Sequence, residues 1–172
     1  MNPFSRWLLV LATTGSASCM PDVSRRIAVG AHTTLPTNNG PCDISRADGS
    51  GIVKEISGGG FEAVAPGTLR IECRDGSVVA DVRVATRLEI VGLPIANAGV
   101  PQRYDVRALD WGGEDLDIGD FAPVKWETSG VFGPTMACDR ATCTTVLASE
   151  KGKGEVIVKF GPLKQSLTVN VR

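Results

Sequence analysis

The chain has 172 residues, 42% of them hydrophobic and 22% charged, enough for one ordinary domain or two small ones and too apolar for a disordered tail. Lys plus Arg number 18 and Asp plus Glu 19, so there is no basic field to hold a phosphate backbone, and nucleic acid is disfavoured as a partner. One His, one Tyr and 5% aromatic residues leave little for acid–base or metal chemistry, and the expectation is a non-enzyme.

The first 18 residues read as an export signal. Arg6 supplies the positive charge, Trp7 to Ala12 an apolar core, and Thr13 to Ser18 a small-residue stretch. The apolar run is far too short to span a bilayer. Ala17, Ser18 and Cys19 resemble the end of a bacterial lipoprotein signal, although Ser16 stands where that family prefers an aliphatic residue. The resemblance implies cleavage before Cys19, lipid on Cys19, a tether over 19–22 and a membrane-anchored protein, periplasmic or on the cell surface. Ordinary cleavage near Ser18 would leave Cys19 a spare thiol and the protein secreted.

From residue 23 onward no stretch repeats apolar residues at helical spacing for long. Turn signals recur at Asn39-Gly40, Asp48-Gly49, Asp75-Gly76, Gly112-Gly113 and Gly161-Pro162. Between them runs period-two alternation, which predicts strands. Tyr104, Val106 and Ala108 share one face, as do Val124 and Trp126. Val156, Val158 and Phe160 form another inward row, and Leu167, Val169 and Val171 the last. Many short strands at this spacing point to an all-β sandwich architecture.

The remaining cysteines are Cys42, Cys73, Cys138 and Cys143, an even set suited to an oxidising compartment. Cys138 and Cys143 are close enough to staple a hairpin. Cys42 and Cys73 would then close a loop of about 30 residues, a bridge worth on the order of 3 kcal/mol. A four-Cys zinc site is the competing reading, but it lacks the close Cys pairs such sites use. A catalytic thiol would need His32 beside it, and nothing in the spacing suggests that.

Two stretches stand out as candidate sites. Asp110, Glu114, Asp115, Asp117 and Asp120 crowd one segment and could gather around Ca²⁺, which takes several oxygens. The spacing is not an EF-hand loop, and a solvated loop is the plainer reading. Trp111, inside this stretch, is a candidate anchor for a partner or a carbohydrate, unless it folds back onto the sandwich. No other cofactor is expected. Lys151, Lys153, Lys159 and Lys164 suggest a solvated face or a blunted edge strand.

The chain also resembles itself. A shift of 85 residues lays Ala63–Cys73 on Ala148–Val158, Gly76 on Gly161, Val82 on Leu167 and Val84 on Val169; a shift of 84 lays Cys42–Ser45 on Trp126–Ser129. This predicts two tandem copies, 23–85 and 86–172. The second copy, with Leu88-Glu89-Ile90, Ala108-Leu109-Asp110, Val124–Ser129, Gly152–Val158 and Ser166–Val171, resembles the bacterial immunoglobulin-like repeats of intimin-type and invasin-type surface proteins. The resemblance implies two tandem immunoglobulin-like β-sandwiches, the first shortened, without catalytic machinery. It places Trp126 at the centre of the second core, Cys42 at the matching place in the first copy, and Cys73 in the slot of Val158.

The function expected from these readings is a non-catalytic exported module for spacing, adhesion or docking of another envelope or surface protein, lipid-anchored at Cys19. The alternative is a small Ca²⁺- or carbohydrate-binding module centred on residues 110–120.

Overall fold

The structure is a computed structural model. It describes residues 23–33, 42–48, 51–56, 60–73, 76–119 and 121–172, and for 23–24, 42–48, 71–78 and 137 the backbone alone. The export signal and Cys19 lie outside the described residues. Every described element is a β-strand.

The first seven strands make a small two-sheet sandwich. They are β1 (Val23–Ala28), β2 (His32–Thr33), β3 (Cys42–Asp48), β4 (Val53–Ile56), β5 (Gly60–Ala63), β6 (Gly67–Cys73) and β7 (Gly76–Arg83). One sheet runs β1-β7-β6-β3 and the other β2-β5-β4. Only β1 joins its sheet in parallel, along β7. Ile27, Phe61, Leu69, Ala80 and Val82 face one another between the sheets, all but excluded from solvent. These inward positions alternate with outward ones along each strand, the period a strand imposes on its side chains.

The remaining nine strands make the larger sandwich. They are β8 (Arg87–Val91), β9 (Ile95–Ala96), β10 (Gln102–Leu109), β11 (Asp115–Leu116), β12 (Lys125–Gly130), β13 (Met136–Ala137), β14 (Cys143–Val146), β15 (Gly152–Phe160) and β16 (Leu163–Val171). In one sheet β10 is central. It pairs with β8 on one side, with β14 and then β11 on the other, and β13 adds to β14. The second sheet runs β12-β15-β16-β9, with β9 parallel to β16. An early strand split between the two sheets, with its second half parallel to the last strand, is an immunoglobulin-like arrangement. The expected inward rows are buried: Tyr104, Val106 and Ala108 on β10, and Val156, Val158 and Phe160 on β15. Trp126 is half-buried and touches both apolar clusters of this sandwich. Its indole N–H donates to the Ala141 carbonyl at 3.2 Å.

The sandwiches repeat one another strand for strand over β1 to β7. Gly67 and Gly152 open β6 and β15 with nearly the same φ, 152° and 150°. Counting on from them, Cys73 matches Val158. Across the sheet Cys42 sits opposite Cys73 and Trp126 opposite Val158, as the sequence comparison implied. The last strand is a correction. Gly67 pairs with Val82, and Gly152 pairs with Val171. The hairpin of the second sandwich is two residue pairs longer, so the true offset there is 89. Val82 therefore matches Val171 and not Leu167, and Arg83 matches Arg172.

Candidate functional site

The acidic segment is where the two sandwiches meet. After β10 the chain turns at 110–114. Asp110 N–H donates to the Glu114 carbonyl at 3.1 Å, and Gly113 N–H to the Asp110 carbonyl at 3.1 Å. Gly113 has φ +82°, a left-handed value that suits a glycine in a tight turn. Beyond β11, Asp117 joins the outer edge of β1. Ala28 N–H donates to the Asp117 carbonyl at 2.9 Å, and Asp117 N–H to the Arg26 carbonyl at 2.8 Å. A strand edge with unpaired groups is thereby satisfied by the other sandwich.

An apolar centre backs this pairing. Ala28 of the first sandwich lies in one cluster with Leu116, Ile118, Ala122 and Phe160 of the second. Gly30 packs against the Phe160 ring, and Gly119 presses on the His32 carbonyl so closely that a Cβ there would fall 2.0 Å from its oxygen. His32 itself lies on β2, its Nε2 3.9 Å from a Glu62 carboxylate oxygen.

Around the apolar centre stands a ring of ion pairs. Asp110, only 3% exposed, accepts the Glu114 backbone N–H at 2.9 Å and the Arg83 guanidinium at 2.8 Å. These two donors hold its carboxyl below the usual aspartate range. Arg83 also reaches Glu114 at 3.0 Å and Asp81 at 2.7 Å, and its carboxylate partners, Asp110 first, raise its own pKa. Arg26 pairs with Glu114 at 3.2 Å, Arg25 with Asp117 at 3.6 Å and Arg107 with Asp115 at 3.8 Å. Asp117 additionally accepts the Gly119 N–H at 2.8 Å.

Four of the carboxylates expected to gather calcium, Asp110, Glu114, Asp115 and Asp117, are each paired with an arginine; Asp120 lies outside the described residues. Among the described residues no group of three or more His, Cys, Asp or Glu could hold a metal ion. The sequence reading missed Arg25, Arg26 and Arg83, which complete the joint from the first sandwich. The signal was charge complementarity between a basic pair and an acidic run in different copies.

Trp111 does not fold back: it is 90% exposed at the tip of the turn. Phe121 is also exposed, and it borders a groove of about 520 Å³ with Val124, Trp126, Met136 and Cys138. Cys138 and Cys143 face the hairpin that was expected to be stapled, and both are free thiols in the structure. The Cys143 S–H donates to the Asp139 carboxylate at 3.6 Å and the Arg140 carbonyl at 3.4 Å. Burial, with the neighbouring Cys138 thiol, pushes the Cys143 pKa up to about 11. That makes it a poor nucleophile. The Cys42 and Cys73 side chains are outside the described residues; their backbones are direct cross-strand partners.

Comparison with solved structures finds similarity to many chains, S-layer and adhesin structures among them. Domains 4 and 5 of the S-layer protein SbsC share 14% identity over 73% of this chain and 73% of that one, with a TM-score of 0.41. The Yersinia pseudotuberculosis adhesin InvE shares 12% over 86% of this chain and 56% of that one, with a TM-score of 0.41. Invasin, a bacterial integrin-binding protein, shares 13% over 81% and 34%, with a TM-score of 0.35. No family model matches the chain, and no curated protein matches it.

Proposed function

We propose that the protein is a non-catalytic exported module of a bacterial envelope or surface, in which two immunoglobulin-like sandwiches are joined into one stiff unit that spaces or displays a docking surface. The observation that carries this reading is the joint. The most chemically suggestive segment of the chain is spent on strand pairing, apolar packing and arginine pairs between the sandwiches. A joint of this kind resists bending, which suits a spacer and not a hinged binding cleft.

The anchor in this reading is lipid on Cys19. The stabilising bridges are Cys42–Cys73, whose backbones face each other, and Cys138–Cys143 at the hairpin tip, closed once the chain meets an oxidising compartment. The partner is another envelope or surface protein. The test is labelling of the full-length protein with radioactive palmitate in a bacterial host. The expected result is incorporation into the membrane fraction that Cys19→Ser abolishes. Unlabelled full-length protein retained in the cytoplasm would overturn the reading.

A further inference from the structure

The joint edge of the first sandwich has a counterpart at the far end of the second. Val29 N–H donates to the Arg83 carbonyl, and Ala98 N–H to the Arg172 carbonyl. Gly30 N–H donates to the Ala63 carbonyl, and Gly99 N–H to the Ala148 carbonyl. Ala31 N–H turns back to the Ala28 carbonyl, and Val100 N–H to the Asn97 carbonyl. Gly30 and Gly99 have φ +86° and +77°. Residues 28–31 are thus built again as residues 97–100, β1 as β9, and Arg83 as Arg172.

In the first sandwich the outer edge of β1 is occupied: the Arg26 carbonyl and Ala28 N–H both bond Asp117. The matching groups on β9 are the Ile95 carbonyl and the Asn97 N–H. β9 pairs with β16 alone, so its outer edge has no strand partner among the described residues. The edge is held ready by its own packing. Tyr104, fully buried, donates its hydroxyl to the Leu93 carbonyl at 3.1 Å. Gly92 leaves room for that ring, since a Cβ would fall 2.2 Å from it.

The chemistry around this edge says what it would take. Leu93, Ile95 and Val100 are 65%, 43% and 50% exposed. They line a groove of about 390 Å³ with Pro94, Gln102 and Arg172. Asn170 stands where Asp81 stands beside Arg83, so the carboxylate nearest in the first sandwich is absent from the second. No ion pair to Arg172 is formed among the described residues, whereas Arg83 holds three carboxylates.

We propose that the outer edge of β9, with Arg172, is a second docking edge that receives an extended acidic and apolar segment of another chain, as β1 receives the backbone of Asp117 while Arg83 takes the Asp110 and Glu114 carboxylates of the same segment. Strand addition supplies backbone hydrogen bonds, and the flanking side chains set preference. The inference names the partner chemistry for the docking role proposed above and rests on that role. Binding in solution needs neither export nor lipid, so the two can fail separately.

The probe is a synthetic peptide of the sequence of residues 108–119, the segment that fills the first edge. It is titrated into the isotope-labelled chain and followed by amide NMR. The expected result is shifts at Ile95, Asn97 and Arg172, saturating by about 1 mM peptide, with affinity weakened roughly tenfold by Arg172→Glu. Asn97→Pro, which deletes the outward N–H, is expected to abolish them; Arg172→Glu, altering only an exposed side chain, reads the edge if that variant fails to fold. Shifts absent at this concentration, or confined to Ala28 and Arg83, overturn the proposal. So does self-association of the chain that Ile95→Lys abolishes, because a second copy would then own the edge.

Discussion

Arg83 and Asp110 show how two side chains decide a joint. Asp110 is nearly excluded from solvent, and its charge is tolerable because a backbone N–H and a guanidinium meet it. Arg83→Met is therefore expected to lower the thermal midpoint by several degrees, since a carboxylate is left in the joint without its cation. The pH dependence follows from the depressed Asp110 pKa. Its stabilising contribution is present above the ordinary aspartate range, about pH 4, and is lost as pH falls through the lower folded value. Asp110→Asn should flatten that acid limb in a pH series of melting curves. Because arginines already hold these carboxylates, millimolar calcium should leave the melting temperature unchanged. Gly119 makes the same point through shape. Its φ of +76° costs a side-chain-bearing residue about 1 kcal/mol, and its Cβ would strike the His32 carbonyl. Gly119→Ala should lower stability by more than that conformational cost in denaturant titration; an unchanged midpoint would mean the joint is open in solution.

At the scale of elements, the same strand pair carries different residues in the two sandwiches. In the second, Trp126 on β12 faces Val158 on β15 and touches two apolar clusters. Trp126→Ala should cost about 3 kcal/mol, the lower end for deleting a large core side chain, because Trp126 is only half-buried. In the first, the smaller pair Cys42 and Cys73 occupies the matching register on β3 and β6. A small sandwich buries proportionally less surface, so the proposed Cys42–Cys73 bridge would matter more there. Reduction of the oxidised protein is expected to raise amide exchange in β3 and β6 while β12 and β15 keep their protection. Equal loosening of both sandwiches would contradict this division of labour.

For the whole molecule, the joint sets how far one sandwich can move relative to the other. Two backbone hydrogen bonds, a shared apolar cluster and a ring of arginine pairs act together. Spin labels at exposed Glu55 and Ser166 should report a single narrow distance distribution by pulsed electron resonance. Arg83→Met combined with Asp110→Asn should broaden it. A broad distribution in the unmodified chain would remove the stiff-spacer reading.

Alternation of apolar residues by itself determined the strands, because a pleated chain must send successive side chains to opposite faces. The pairing of Cys42 with Cys73, and of Trp126 with Val158, was legible in the self-similarity of the chain, since the offsets of 84 and 85 carry one cross-strand pair onto the other. The offset of the last strand was not legible: hairpin length decides register, and the longer turn-back of β15 and β16 moved Val171, not Leu167, onto the place of Val82. Nor was the role of the acidic segment. Asp110 and Arg83 stand 27 residues apart and in different sandwiches, and a run of carboxylates reads alike whether its counter-charge is a metal or an arginine. Only the tertiary structure, by bringing β1 and β7 of one sandwich against the 110–119 segment of the other, showed which arginines pair with these carboxylates.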